Sequence, residues 1–161
     1  AGLHPSSRLV STGTIEADEA LVDKLGVSVG APLLRMQRVR LIEGEPASIE
    51  TAHVNLSLCP SLIEHDFECE SLYDVLLKEG GVRVEHGREH ISISRLNAEE
   101  AELLQQEEGT PVFYESTIEF DKDMRFVEHC KSVILPTKFR FADNGEENGM
   151  RSVAGEQWLK Q

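Results

Sequence analysis

One pattern occurs twice in this chain of 161 residues, and it constrains the fold more than any other feature. A short helical segment reads Ala17-Asp18-Glu19-Ala20 in the first half and Ala98-Glu99-Glu100-Ala101 in the second. Each is followed by a loop ending Gly-x-Pro, Gly30-Ala31-Pro32 and Gly109-Thr110-Pro111, and then by two apolar-rich runs around a turn. The prolines stand 79 positions apart and Glu50 and Glu128 stand 78 apart, so the repeat predicts a second turn one residue shorter than the first. Repeated helix-plus-hairpin units imply an internal near-duplication. Their simplest packing is one antiparallel sheet with the two helices on one face. The fold class is therefore α+β, with a central, mostly antiparallel sheet and short helices.

The other elements follow from local signals. Arg8 to Ile15 reads as a weak strand. Asp18 caps a helix from Glu19 to Leu25, and Gly26 stands at its C-terminal cap. Pro60 opens one helical turn. Ser71-Leu72-Tyr73-Asp74 begins a helix that runs to Gly80-Gly81. Val82 to Ser94 reads as a long strand with a bulge or bend at Gly87. Asn97 caps the next helix, which ends near Gln106. Residues 1–7 read as the end of a linker, and the Gly-, Asn- and Glu-rich stretch from 142 to 161 as a polar tail that is mobile or packs on a neighbour.

The first hairpin carries the candidate chemistry. Residues two apart on a strand share a face, so Arg38 and Arg40 project together. Glu50 on the returning strand lies within reach. Two arginines on a half-buried strand require an anion, either a carboxylate of the protein or a ligand. Under the repeat their counterparts are Thr117 and Glu119.

Charge narrows the partners. The net charge of −13, from 16 basic and 29 acidic residues, makes a poor phosphate-backbone binder. No apolar run reaches the roughly 18 residues of a membrane span. The three cysteines, Cys59, Cys69 and Cys130, fit reduced thiols of a cytoplasmic protein better than a disulfide framework. His53, His86, His90 and His129 lack metal-ligand spacing, and no metal or other cofactor is expected. Arg83, Arg88 and Arg95 read as solvated, with Arg88 able to face a pocket. The start, without Met or signal peptide, predicts a piece of a longer protein.

Taken in order, Gly-Leu-His-Pro-Ser-Ser-Arg at 2–8, Arg38-Val39-Arg40, Gly44-Glu45-Pro46 with Glu50, Ser71-Leu72-Tyr73, Gly109-Thr110-Pro111 and Val127-Glu128 resemble the UTRA domain. That domain is the effector-binding half of HutC-type GntR transcription regulators. The resemblance covers about residues 2–141. It implies a chorismate-lyase-like fold, a homodimer, and a winged helix-turn-helix domain before residue 1 that alone contacts DNA. It implies effectors that are small and mostly anionic or polar: sugar phosphates, amino-sugar derivatives, phosphonates, urocanate, fatty acids. Carried over by position, Arg38 and Arg40 shape the effector pocket, with Glu50 on the partner strand. Ser71 and Tyr73 hold the anionic group at a helix start, and Glu128 accepts from hydroxyl or amide groups. The domain organisation expected is a linker end at 1–7, the effector-binding domain at 8–141 and the tail at 142–161.

The chain departs from the family's pattern after Glu128. Ile134 stands where a family Tyr reaches the ligand, and Leu135 replaces an Arg, which argues for a smaller or less polar effector than a phosphosugar. A dimerisation module with a degenerate pocket is a second expectation. An enzyme on the same fold is a third, but it would need a positioned acid, base or nucleophile, and only Glu50 and Glu128 qualify.

Overall fold

The structure is a computed structural model and describes residues 5–138, 141–142 and 151–152. Its elements run β1 (Pro5–Glu16), α1 (Glu19–Leu25), β2 (Pro32–Ile42), β3 (Glu45–Asn55), a 3-10 turn (Pro60–Glu64), α2 (Leu72–Gly80), β4 (His86–Arg95), α3 (Ala98–Leu104), β5 (Pro111–Phe120) and β6 (Phe126–Ile134). A 3-10 turn at Pro136–Lys138 and a small pair, β7 (Phe141–Ala142) and β8 (Arg151–Ser152), follow. The remainder of the predicted polar tail lies outside the described residues.

Six strands form one antiparallel sheet in the order β1-β2-β3-β6-β5-β4. The two repeats are thus two strand-helix-hairpin units joined edge to edge at β3 and β6. Helix α1 buries Leu25 against Leu33 and Phe126, and α3 buries Ala101 and Leu104 against Val39, Ile49 and Val133. Both repeat helices lie on one face, as the sequence predicts. Helix α2 covers part of the other face, packing Leu72, Val75 and Leu76 on Leu34, Met36, Ala52 and Val54. Each buried Leu, Val, Ile, Met or Phe among these contributes about 1.5–3 kcal/mol.

The ladder corrects the alignment of the repeats. Arg38 faces Glu50, and Thr117, its counterpart, faces Cys130. Cys130, not Glu128, therefore stands in the second hairpin where Glu50 stands in the first, and Glu128 matches Ser48. Both hairpins slip register after the equivalent residues Arg40 and Glu119. The turns differ the other way from expectation. Only Glu43 and Gly44, at φ 52° and 77°, separate β2 from β3. Positive φ at both central residues makes a type I′ turn, whose twist suits a tight hairpin. Residues 121–125 form the longer second turn, where the Asp121 carboxylate accepts from the Asp123 and Arg125 amides at 2.9 Å each. Pairing, not the identity of a recurring Glu, sets the register.

Two further expectations change. The first strand begins at Pro5 and runs to Glu16, so residues 5–7 belong to the sheet and not to a linker. Gly87 makes no bulge, since β4 pairs with β5 without a register shift and Gly87 faces Glu119. A Cβ there would come within 2.6 Å of a Glu119 carboxylate oxygen, so glycine admits that side chain.

Candidate functional site

The ladder puts Arg38 and Glu50 side by side on the face that α2 covers. Arg38 donates from Nη2 to Glu50 Oε2 at 3.2 Å, and Arg40 Nε lies 3.8 Å from Glu50 Oε1. All three are buried, at 2%, 4% and 2% exposure. Burial pushes the Glu50 carboxyl up from its ordinary value, and Arg40 and then Arg38 pull it back. Burial likewise lowers Arg40. Two guanidiniums thus share the Glu50 carboxylate in a region of low dielectric.

Each arginine also reaches an element outside the hairpin. Arg38 Nη1 donates to the Phe67 carbonyl at 3.2 Å, and Arg40 Nη1 donates to Ser7 Oγ of β1. Between these contacts opens a cavity of about 200 Å³, lined by Arg38, Arg40, Ser6, Ser7, the loop from Phe67 to Glu70, and Ser71. Ser71 caps α2, accepting from the Asp74 amide at 3.4 Å. The helix start therefore faces a cavity that already holds two guanidiniums, and helix N-termini favour anions. The two loop carboxylates are engaged. Glu68 accepts from the Leu9 amide at 3.0 Å, and Glu70 from the Asp66 amide at 2.9 Å and from His65 at 3.0 Å.

The remaining predicted residues stand apart from this cavity. Tyr73 donates to Glu128 Oε1 at 2.8 Å. Burial pushes the Glu128 carboxyl up to about 7, against the lowering effect of the Tyr73 hydroxyl. Burial also raises the Tyr73 hydroxyl. Tyr73 lines a second cavity of about 200 Å³ with Leu77, Val82 and Arg83. Of the six predicted residues, Arg38, Arg40 and Ser71 line one cavity, Glu50 ties the arginines from behind, and Tyr73 and Glu128 form a separate pair. Ile134 packs with Ile42, Ala47 and Phe113, and Leu135 with Val39 and Leu104, so both are core. Arg88 lies over the Phe120 ring at 5.5 Å, away from the cavity.

Residue periodicity missed four residues. Ser6 and Ser7 fell in the stretch read as linker, although Pro-Ser-Ser-Arg belonged to the resemblance. The Phe67 carbonyl has no side-chain signal. Glu115, on the same sheet face as Glu50, is pushed up to about 7 by burial and then by Glu89 and Glu50. Only the ladder reveals it.

Comparison with known proteins agrees with the fold. The UTRA domain family model matches residues 1–140. The chain is 28% identical over 140 residues to the HTH-type transcriptional repressor NagR of Bacillus subtilis, and 29% identical over 140 residues to the HTH-type transcriptional repressor PhnF of Mycolicibacterium smegmatis. Each alignment covers 87% of this chain and 57% of the relative, so the chain spans a little over half the length of either. The crystal structure of the effector domain of PhnF from Mycobacterium smegmatis superposes with a TM-score of 0.80 at 29% identity, covering 87% of this chain and 86% of that one.

Proposed function

The chain belongs to the UTRA domain family, and on that premise we propose that it is the effector-sensing and dimerising part of a bacterial transcription regulator. It binds a small anionic or polar metabolite in the cavity between β1, β2 and the start of α2. The observation that carries this reading is the convergence of Arg38, Arg40 and Ser71 on one open cavity of about 200 Å³. Pockets for drug-sized ligands run to about 300–1,000 Å³, so this one suits an anionic head group or a very small molecule. Arginine gives such a group bidentate, charge-assisted hydrogen bonds. Tyr73 and Glu128, a hydrogen-bonded pair outside this cavity, take no part in the anion seat.

Two of the relatives are named repressors, which supports repression as the output. DNA contact belongs, on this reading, to a winged helix-turn-helix domain of the full-length protein, which is cytoplasmic and homodimeric. The effector acts by binding one arrangement of the dimer better than the other, and so shifts their populations. Sensing, and not turnover, fits the chemistry of the acids. Glu50 is held between two guanidiniums and Glu128 accepts from a tyrosine, so neither is a free base.

A degenerate pocket is the second reading, favoured by the burial of Ile134 and Leu135 in the core. Thermal unfolding with a panel of small phosphates, phosphonates and carboxylates separates the two. A saturable rise in Tm with at least one compound supports sensing. A flat response across the panel supports the degenerate pocket.

A further inference from the structure

The opposite face of the sheet gathers cations. Register places Arg35 opposite His53, and His53 opposite His129, in a row across β2, β3 and β6. Two residues along β6, Lys131 projects to the same face. The last turn of α1, which packs on Leu33 and Phe126, carries Lys24, whose charge is felt at Lys131 and at His53. Helix α1 packs on Leu33 and Phe126 at one end of this face, and α3 packs on Val39, Ile49 and Val133 at the other. The cationic strip lies between them, with Arg35, His53 and Lys131 half-buried and His129 fully so.

Among the described residues, none of these five groups forms an ion pair with a carboxylate. That is notable in a chain with 29 acidic and 16 basic residues. The two imidazoles stack at 6.3 Å and 21°, and His129 meets Ser116 Oγ at 3.1 Å. Nδ1 of each ring is buried and makes no hydrogen bond among the described residues. Burial lowers Lys24, His53 and His129, and neighbouring cations lower them further. Among the described residues, no carboxylate opposes either effect.

We propose that this strip is a second ligand site, which takes a small oxyanion of the phosphate or sulfate class between Lys24, Lys131 and His53, with Arg35 adding to the field. Like charges held together without a counter-ion repel, and a bound oxyanion reverses the sign of that interaction. Arg35 is fixed by its hydrogen bond to Ser11 Oγ at 3.0 Å, so the field is preorganised. The net charge of −13 repels a polyanion at long range. A small ion enters where a nucleic-acid backbone does not.

The test uses the whole 161-residue chain at constant ionic strength, titrated with inorganic phosphate against a chloride control. Ring resonances of His53 and His129 report this site, and the Ser71 amide reports the cavity on the other face. Saturable shifts of the ring resonances with phosphate are expected. Lys131→Gln weakens that response about tenfold or more and leaves the Ser71 response in place. The same variant raises Tm in chloride, because it relieves repulsion. Ring signals that move alike in phosphate and chloride overturn the site. So does a Lys131→Gln chain with lower Tm in chloride and an unchanged phosphate response. Lys24→Gln, at an exposed position on α1, gives the same readout if Lys131→Gln does not fold.

Discussion

Glu50 sets the charge balance of the cavity, and its removal separates two effects. Glu50→Gln leaves two buried guanidiniums facing a neutral amide, at a cost of about 3–5 kcal/mol. Urea denaturation measures that loss. The same change adds a net positive charge, so the variant gains more stability from a small anion than the native chain does. Glu128 and Glu115 predict a pH effect. Their carboxyls are raised in the fold from 4.5 to about 7. Between those values the folded chain holds protons that the unfolded chain has released, so stability falls as pH rises through this window. Glu128→Gln removes its share, and denaturation midpoints at pH 5 and pH 7.5 should then differ less than in the native chain. Tyr73→Phe strips the Glu128 carboxyl of its donor and costs about 1–3 kcal/mol. Strand parity alone places Arg38 and Arg40 on one face, and the hairpin register adds Glu50 to it. The separation of Tyr73 and Glu128 from the anion cavity depends on how α2 lies across the sheet, which parity does not encode.

The loop that walls the cavity depends on a histidine. His65 bridges Glu70 at 3.0 Å and Glu79 of α2 at 2.6 Å, and these hydrogen bonds raise its pKa above 6.5. A raised histidine stabilises below its unfolded pKa, and the contribution is lost as pH rises through the folded value. Anion binding is therefore expected to weaken above that value in the native chain and to lose this step in His65→Gln, as calorimetry across pH would show. The helices and hairpins were legible because capping residues, Gly-x-Pro and apolar alternation are local. Asp18, Ser71 and Asn97 all cap where their sequence says. The pairing of repeat positions was not legible. A recurring glutamate suggested one offset, while the slips after Arg40 and Glu119 and the five-residue second turn impose another. Gly87 was misread for the same reason, since only its cross-strand neighbour Glu119 explains it.

At the scale of the whole molecule, the two units share a sheet and differ in charge. The first unit presents Arg38 and Arg40, and the second presents Thr117 and Glu119 at the matching rungs. That asymmetry was visible in the sequence, and the fold keeps it. What the sequence could not give is the contribution of β1, whose Ser6 and Ser7 complete the cavity from a stretch without strand periodicity. Edge strand β4 leaves Ile91 and Ile93 at 52% and 79% exposure. In a homodimer that buries them, Ile93→Glu shifts the chain toward monomer in sedimentation equilibrium. The most direct test of an anion seat at Arg38, Arg40 and Ser71 is calorimetric titration of small anionic metabolites into the native chain and into Arg40→Met. At least one compound is expected to bind the native chain and to lose that binding in Arg40→Met, which still unfolds cooperatively. Equal binding to both chains, or binding to neither, would contradict it.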